Sequence, residues 1–249
     1  MLVILSPAKT LDETPVQLPV ASSTAHFAAE AWQLVSLLRQ LDQDSLAALL
    51  KISPALAERN RQRMQNFSPT PSASVGKYAA LLYHGDTYEG LQAARWQTED
   101  WLYAQHSLVI VSGLYGLLRP LDRIQPYRLE MSTRLLNARG KDLYAFWGES
   151  LRQVLTQWAA GRLLVNLASE EYSKALSGLP MLTPVFQEQR AQKRQVVGLL
   201  AKRARGRMAS WIMRQRLQEP LTLQEYQEEG YCYRADLSNS ERWYFVRDG

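Results

Sequence analysis

A chain of 249 residues, 46% hydrophobic and 21% charged, has the make-up of a soluble globular protein and is long enough for one large core. It contains no apolar run near the roughly 20 residues of a membrane span, and its single cysteine, Cys232, excludes an intrachain disulfide and points to the cytosol. The net charge of +5 is segregated: nine Lys or Arg and no carboxylate fall between residues 190 and 216, a pattern that favours a polyanionic partner.

In chain order, Leu2–Leu5 is a short apolar run that predicts a buried strand; it is too short, and lacks the basic flank, for a signal peptide. A polar loop is expected over residues 9–23. Phe27, Ala31, Leu34, Val35, Leu38 and Leu41 recur at helical spacing. A second helix starts near Asp44, and Pro54 after Ser53 opens a third that runs to about Met64. The Ser/Pro-rich residues 68–74 mark the expected internal boundary. A helix is predicted over 78–82, a strand over 108–111, a turn over 137–141, one helix over 143–158 and a strand over 163–167. The last third predicts strands at 183–186, 195–200, 231–235 and 243–246, the last two forming a hairpin. A basic helix is expected over about 202–217, and Gly206, about 1 kcal/mol unfavourable inside a helix, offers an alternative start. The fold class is α/β (mixed α+β), with a single mixed sheet and surrounding helices.

Residues 111–130 carry two glycines, two prolines, two tyrosines, three arginines and two carboxylates, more shape-demanding chemistry than a core needs. Polar residues beyond strand carboxyl ends line crevices in open α/β sheets. Three such loops are expected to converge on one pocket: Ser6 and Lys9; Ser112, Tyr115, Arg119, Tyr127, Arg128 and Glu130; Asn166, Ser169 and Tyr172. Lys9 and Arg119 would hold an anion, Tyr115 and Tyr127 would orient it, and Glu130 would pair with the arginines. Ser6 and Lys9 formally match Ser-x-x-Lys, but the companion residues are missing and no catalytic residue is assigned. His26, His84 and His106 are widely spaced, so neither a metal nor a cofactor is expected. Cys232 is expected to be a small buried strand residue.

Residues 46–57 resemble a helix-hairpin-helix element, in which a tight turn presents backbone N–H groups to a DNA phosphate. Lys51 and Ser53 stand where glycines are usual, and Arg59, Arg61 and Arg63 follow on the next helix. An ordinary helical hairpin with a solvated basic face fits equally well. On the basic helix Arg203, Arg207, Ser210 and Arg214 share one stripe, and Met208, Trp211 and Ile212 share another.

The blocks at residues 5–10, 112–130, 143–148, 166–169 with Tyr172, and 202–206 together resemble the YaaA family of bacterial peroxide-stress proteins, in the same order along the whole chain. The resemblance implies a single domain over 1–249 with a helical, helix-hairpin-helix-containing subregion at about 27–67. It also implies a cytoplasmic protein that limits hydrogen peroxide damage, linked to lowering free iron, and that binds DNA in a positively charged cleft. Carried over, that cleft draws on Lys202, Arg203, Arg205 and Arg207. Ser132 departs from the glycine frequent in the family after Met131. The expected function is DNA binding through phosphates, with little base readout, using Lys51, Ser53, Arg59, Arg61, Arg63, Lys202, Arg203, Arg205, Arg207 and Arg214. The alternative is an enzyme acting on a nucleotide, nucleobase or small phosphate-bearing compound in the strand-end pocket. A small anionic ligand suits either reading, and no membrane partner is expected.

Overall fold

The computed structural model describes residues 1–69, 75–190 and 193–248. The boundary expected at 68–74 lies almost wholly outside the described residues. The main sheet comprises Leu2–Leu5 (β1), Leu108–Ser112 (β2), Gly116–Leu118 (β3), Leu164–Asn166 (β4), Met181–Arg190 (β5), Lys193–Gln195 (β6), Cys232–Arg234 (β7) and Arg242–Asp248 (β8). Its order is β7-β8-β5-β4-β1-β2-β3, with β6 pairing with β5. Strands β8, β5, β4, β1 and β2 run parallel, and β3, β6 and β7 join antiparallel.

Every residue of β1 is buried, as an all-apolar strand requires, and the sheet satisfies this by placing β1 between two parallel neighbours. Val3 pairs with Leu108 on one side and Val165 on the other. The chain therefore adds β2 on one flank of β1 and, later, β4 on the opposite flank. Strand order reverses at β1, the place where open α/β sheets receive ligands beyond their carboxyl ends. Strand β5 instead alternates buried and part-exposed residues, so that end of the sheet is covered on one face only.

Helices Ala28–Leu38 (α1), Gln43–Leu50 (α2), Pro54–Gln65 (α3), Asp86–Leu91 (α4), Thr98–Ser107 (α5), Leu143–Trp147 (α6), Ser150–Ala159 (α7) and Gly198–Gln215 (α8) surround the sheet. Two small sheets flank it, one joining Thr10–Leu11 to Tyr83–His84, the other joining Ser23–Thr24 and Lys77–Tyr78 to Asp122–Ile124. One contiguous apolar cluster runs from Met1 to Phe245.

Three expectations need correction. The helix expected over 143–158 is two helices, because Gly148 turns the chain at φ +46°. The strand expected over 195–200 ends at Gln195, and residues 198–200 open α8. Cys232 is exposed, because β7 is the sheet's edge strand.

Helix α8 also runs straight through Gly206 rather than starting there. A Cβ at Gly206 would fall inside the Thr87 carbonyl oxygen and 2.8 Å from the Leu91 nitrogen. Reciprocally, a Cβ at Gly90 would collide with the Arg203 carbonyl. Helices α4 and α8 thus touch backbone to backbone, and this packing offsets the intrinsic helix penalty of glycine. Gly206→Ala is expected to destabilise by about 2–3 kcal/mol despite its better helix propensity. That corresponds to a fall in Tm of roughly 4–10 °C for a chain of this size. Gly198→Ala, with open space around its Cβ, is expected to be neutral or stabilising, and thermal denaturation of both variants checks the contrast.

Candidate functional site

A cavity of about 460 Å³ opens beyond the carboxyl ends of β1 and β4. Ser6, Lys9, Tyr127, Arg128, Glu130, Ser169 and Tyr172 all line it, so seven of the eleven residues expected in a strand-end pocket do converge. His84 joins them from the small strand Tyr83–His84, Asp86 and Thr87 from the start of α4, and Lys202 and Arg205 from α8.

Hydrogen bonds fix the walls. The Ser169 N–H donates to Ser6 Oγ at 2.7 Å, and the Ser6 hydroxyl donates to Ser169 Oγ at 3.2 Å, stitching the ends of β1 and β4 together. The Tyr88 hydroxyl donates to the Ser6 carbonyl at 2.9 Å and ties α4 to the same point. Gly113 allows the backbone of residues 129 and 130 to lie against it, where any Cβ would clash with the Leu129 carbonyl. Below that loop, the Tyr127 hydroxyl is 2.6 Å from both Ser112 Oγ and the Tyr83 hydroxyl. Burial pushes the Tyr127 phenol up to about 12 and raises Tyr83, Tyr88 and Tyr172 as well. These tyrosines stay neutral near pH 7 and act through their hydroxyls and rings.

The charges divide into two sets. Glu130 accepts from Lys9 at 2.9 Å and lies 3.5 Å from Arg128, the pairing expected of it. Glu171 accepts from the backbone and hydroxyl of Ser132. Lys202 and Arg205 have no carboxylate or carbonyl partner among the described residues. Arg205 is partly buried, and burial alone lowers its pKa from the ordinary value; a guanidinium nevertheless stays charged. Ser6 is engaged with Ser169 and Lys9 with Glu130, so the Ser-x-x-Lys match assembles no nucleophile and base.

Four expected pocket residues lie elsewhere. Ser112 is fully buried, accepting from the N–H groups of Leu114 and Tyr115. Tyr115 is buried with its hydroxyl accepting from the Gln125 N–H. Asn166 bonds Thr183 and Ala168. Arg119 sits at the opposite end of the sheet, stacked 4.4 Å over Trp158 in a hollow beside Leu2 and Leu108. The cause is the β2–β3 reversal, which pairs Ser112 with Gly116 and Ile110 with Leu118 and returns the chain toward the strand amino ends. Arg119 therefore cannot share an anion with Lys9.

The residues expected to contact DNA also separate. Lys51, in the left-handed conformation at the end of α2, lines a second cavity of about 660 Å³ with Arg134. That cavity shares Lys9, Arg128 and Glu130 with the first, so the two form one cleft. Ser53 caps α3, Arg59 is exposed, Arg61 pairs with Glu58 and Arg63 with Glu13. On α8, Arg203 pairs with Glu89 and Arg207 with Glu229, while exposed Arg214 lines a separate hollow with Arg207. At 100° per residue, with Gly206 held against α4, Lys202 and Arg205 fall on one flank of α8 and Arg203, Arg207 and Arg214 on the other. Only the first flank faces the cavity. The i, i+3 spacing of Lys202 and Arg205 was the available signal; nothing in the sequence marked His84, Asp86 or Thr87. Among the described residues no group of three or more His, Cys, Asp or Glu could hold a metal ion, and no helix is long and apolar enough to cross a membrane.

Comparison with known proteins places this geometry in a family. The model of a family described as peroxide stress protein YaaA matches residues 1–237. A UPF0246 protein of Magnetococcus marinus is 45% identical over 254 residues, covering 99% of both chains. A UPF0246 protein of Burkholderia ambifaria is 44% identical over 257 residues, covering 99% of this chain and 98% of its own. One from a Janthinobacterium species is 45% identical over 255 residues with the same coverage.

The turn that redirects Arg119 is held by Asp122, whose carboxylate accepts from the Arg119 N–H at 2.8 Å and the Ser23 hydroxyl at 2.6 Å. Desolvation raises its pKa to about 6, against hydrogen bonds that lower it. A carboxyl with a raised folded pKa contributes stability that is complete below its unfolded value and lost as pH rises through the folded value. Between pH 5 and 7 this amounts to about 1 kcal/mol. Tm is expected to rise by a few degrees from pH 7 to pH 5, and Asp122→Asn is expected to abolish that slope whatever it does to the absolute Tm. Asp12, held near 2 by Lys77, does not titrate in this window.

Proposed function

Since the chain belongs to the YaaA family of peroxide stress proteins, we propose that it is a DNA-binding protein of the hydrogen peroxide response, acting in the cytoplasm. DNA lies along the joined cleft, with its phosphates on the side chains of Lys51, Arg134, Lys202 and Arg205. The observation that carries this reading is the distribution of unpaired charge. Among the described residues the cations on the cleft that lack carboxylate partners are these four, whereas Arg61, Arg63, Arg203 and Arg207, off the cleft, are paired within the protein, and exposed Arg59 and Arg214 line neither part of it.

The turn between α2 and α3 takes part through its side chain more than its backbone. The N–H groups of Lys51 and Ile52 already bond the carbonyls of Ala48 and Ala47, so the phosphate contact at this hairpin is the Lys51 ammonium. Contact with phosphates carries no base code, which suits a protein that covers DNA wherever peroxide and iron threaten it. In this reading, protection from iron-driven damage is exerted at the DNA. The enzyme alternative has the cavity in its favour, but Ser6 is engaged with Ser169 and Lys9 with Glu130.

Each phosphate neutralised steepens the dependence of log affinity on log salt by about 0.9 for duplex DNA. Gel-shift titrations across a salt series are expected to show such a slope. Lys51→Ala, Arg134→Ala and Lys202→Ala are each expected to reduce it by about one contact. Arg203→Ala and Arg207→Ala are expected to leave it within error. Affinity indifferent to salt, or a larger loss from the ion-paired flank of α8 than from Lys202, would overturn the reading.

A further inference from the structure

We infer that the strand-end cavity binds a single nucleoside monophosphate, with its phosphate on Arg205 and Lys202 and its sugar and base against the wall formed by Tyr127, Tyr172 and Leu167. The inference deepens the nucleic-acid reading of the cleft and rests on it only for where the nucleotide comes from.

Arg205 is the starting point. Its guanidinium is partly buried, lines the cavity and has no hydrogen-bond or ion-pair partner among the described residues, so its five N–H donors are open to solvent and to an anion that enters. The neighbouring helical turn adds Lys202, also unpaired and exposed. Arg128, whose guanidinium lies 3.5 Å from Glu130, also lines the cavity. Arg205 and Lys202 line an open cavity of about 460 Å³, within the usual range for small-molecule sites.

Charge selects the ligand class. Four cations (Lys9, Arg128, Lys202, Arg205) and three carboxylates (Asp86, Glu130, Glu171) line the cavity, and Glu130 already occupies Lys9. The surplus suits the one to two negative charges of a phosphate monoester or diester and is too small for a triphosphate. The remaining lining is mixed in the way a sugar and base require. The hydroxyls of Ser6, Thr87 and Ser169 stand beside aromatic and apolar carbon, and a nucleobase can stack or pack on such a wall.

The cavity opens directly into the neighbouring hollow lined by Lys51 and Arg134. The nucleotide can therefore be a free monophosphate or one residue swung out of a DNA strand held in the cleft.

The test is calorimetric titration of the full chain with the four deoxynucleoside 5′-monophosphates, the corresponding deoxynucleosides and inorganic phosphate. Monophosphates are expected to bind about tenfold or more tighter than deoxynucleosides. Lys202→Ala and Arg205→Lys, both compatible with the fold, are each expected to weaken them several-fold. Arg205→Ala is expected to abolish measurable binding, and Arg203→Ala, on the far flank, to change nothing. Absence of saturable monophosphate binding at millimolar concentration overturns the inference, as does unchanged affinity in both Lys202→Ala and Arg205→Lys, or equal affinity for nucleosides lacking phosphate. Competition separates the two sources. A monophosphate that displaces a duplex carrying one unpaired nucleotide, but not a fully paired duplex, supports the inference with an extruded residue as ligand. Displacement of neither duplex, with binding intact, supports it with a free nucleotide. Monophosphate binding without any DNA shift upholds this site and removes the DNA reading, whereas a DNA shift without monophosphate binding removes only this site.

Discussion

Where α4 crosses α8, two glycines bring the helix backbones into direct contact, and the functional geometry follows from that crossing. Gly206 cannot turn away from Thr87 and Leu91, nor Gly90 from Arg203, so the rotation of α8 about its own axis is fixed. Once it is fixed, helical periodicity alone sends Lys202 and Arg205 to one side and Arg203, Arg207 and Arg214 to the other. Tyr88 extends the same constraint to the sheet by bonding the Ser6 carbonyl at the end of β1. A basic helix whose bare composition would suit any polyanion thereby turns one flank, Lys202 and Arg205, to the cavity.

That flank stands out for what it lacks. Several cations of this protein are matched by carboxylates: Lys9 by Glu130, Lys77 by Asp12, Arg203 by Glu89, Arg247 by Glu188. The exposed pairs among them contribute little stability, but all four remove those side chains from competition for a ligand. Of the six cations that line the cleft at the strand carboxyl ends, Lys202, Arg205, Lys51 and Arg134 have no carboxylate partner among the described residues. Loops from β1 and β4 meet there because strand order reverses at β1.

Much of the architecture was legible in the residues. The all-apolar run at Leu2–Leu5 could only be an interior strand, and Ser53-Pro54 could only open a helix; both stand where expected. The convergence of Ser6, Glu130 and Ser169 followed from their places after strands. Arg119 was misplaced because its position depends on the β2–β3 reversal, and two glycines flanking Leu114-Tyr115 suit a ligand loop as well as a tight hairpin. The glycine penalty at Gly206 was real, but a propensity scale has no term for the helix that crosses there. Cys232 was read from its apolar neighbours, although only sheet order shows that its strand is at the edge. His84 reaches the cavity from a two-residue strand, and Asp86 and Thr87 from a helix of six residues, with no distinguishing pattern in either.

The account stands on one flank of α8 meeting anions while Arg203 and Arg207 on the other stay bound to Glu89 and Glu229. The most direct measurement is the NMR response of the arginine Nε–Hε resonances when a short DNA duplex is added at low salt. The account predicts that the Arg205 resonance moves and sharpens while those of Arg203 and Arg207 hold their positions. Movement at Arg203 and Arg207 with Arg205 unchanged would contradict it.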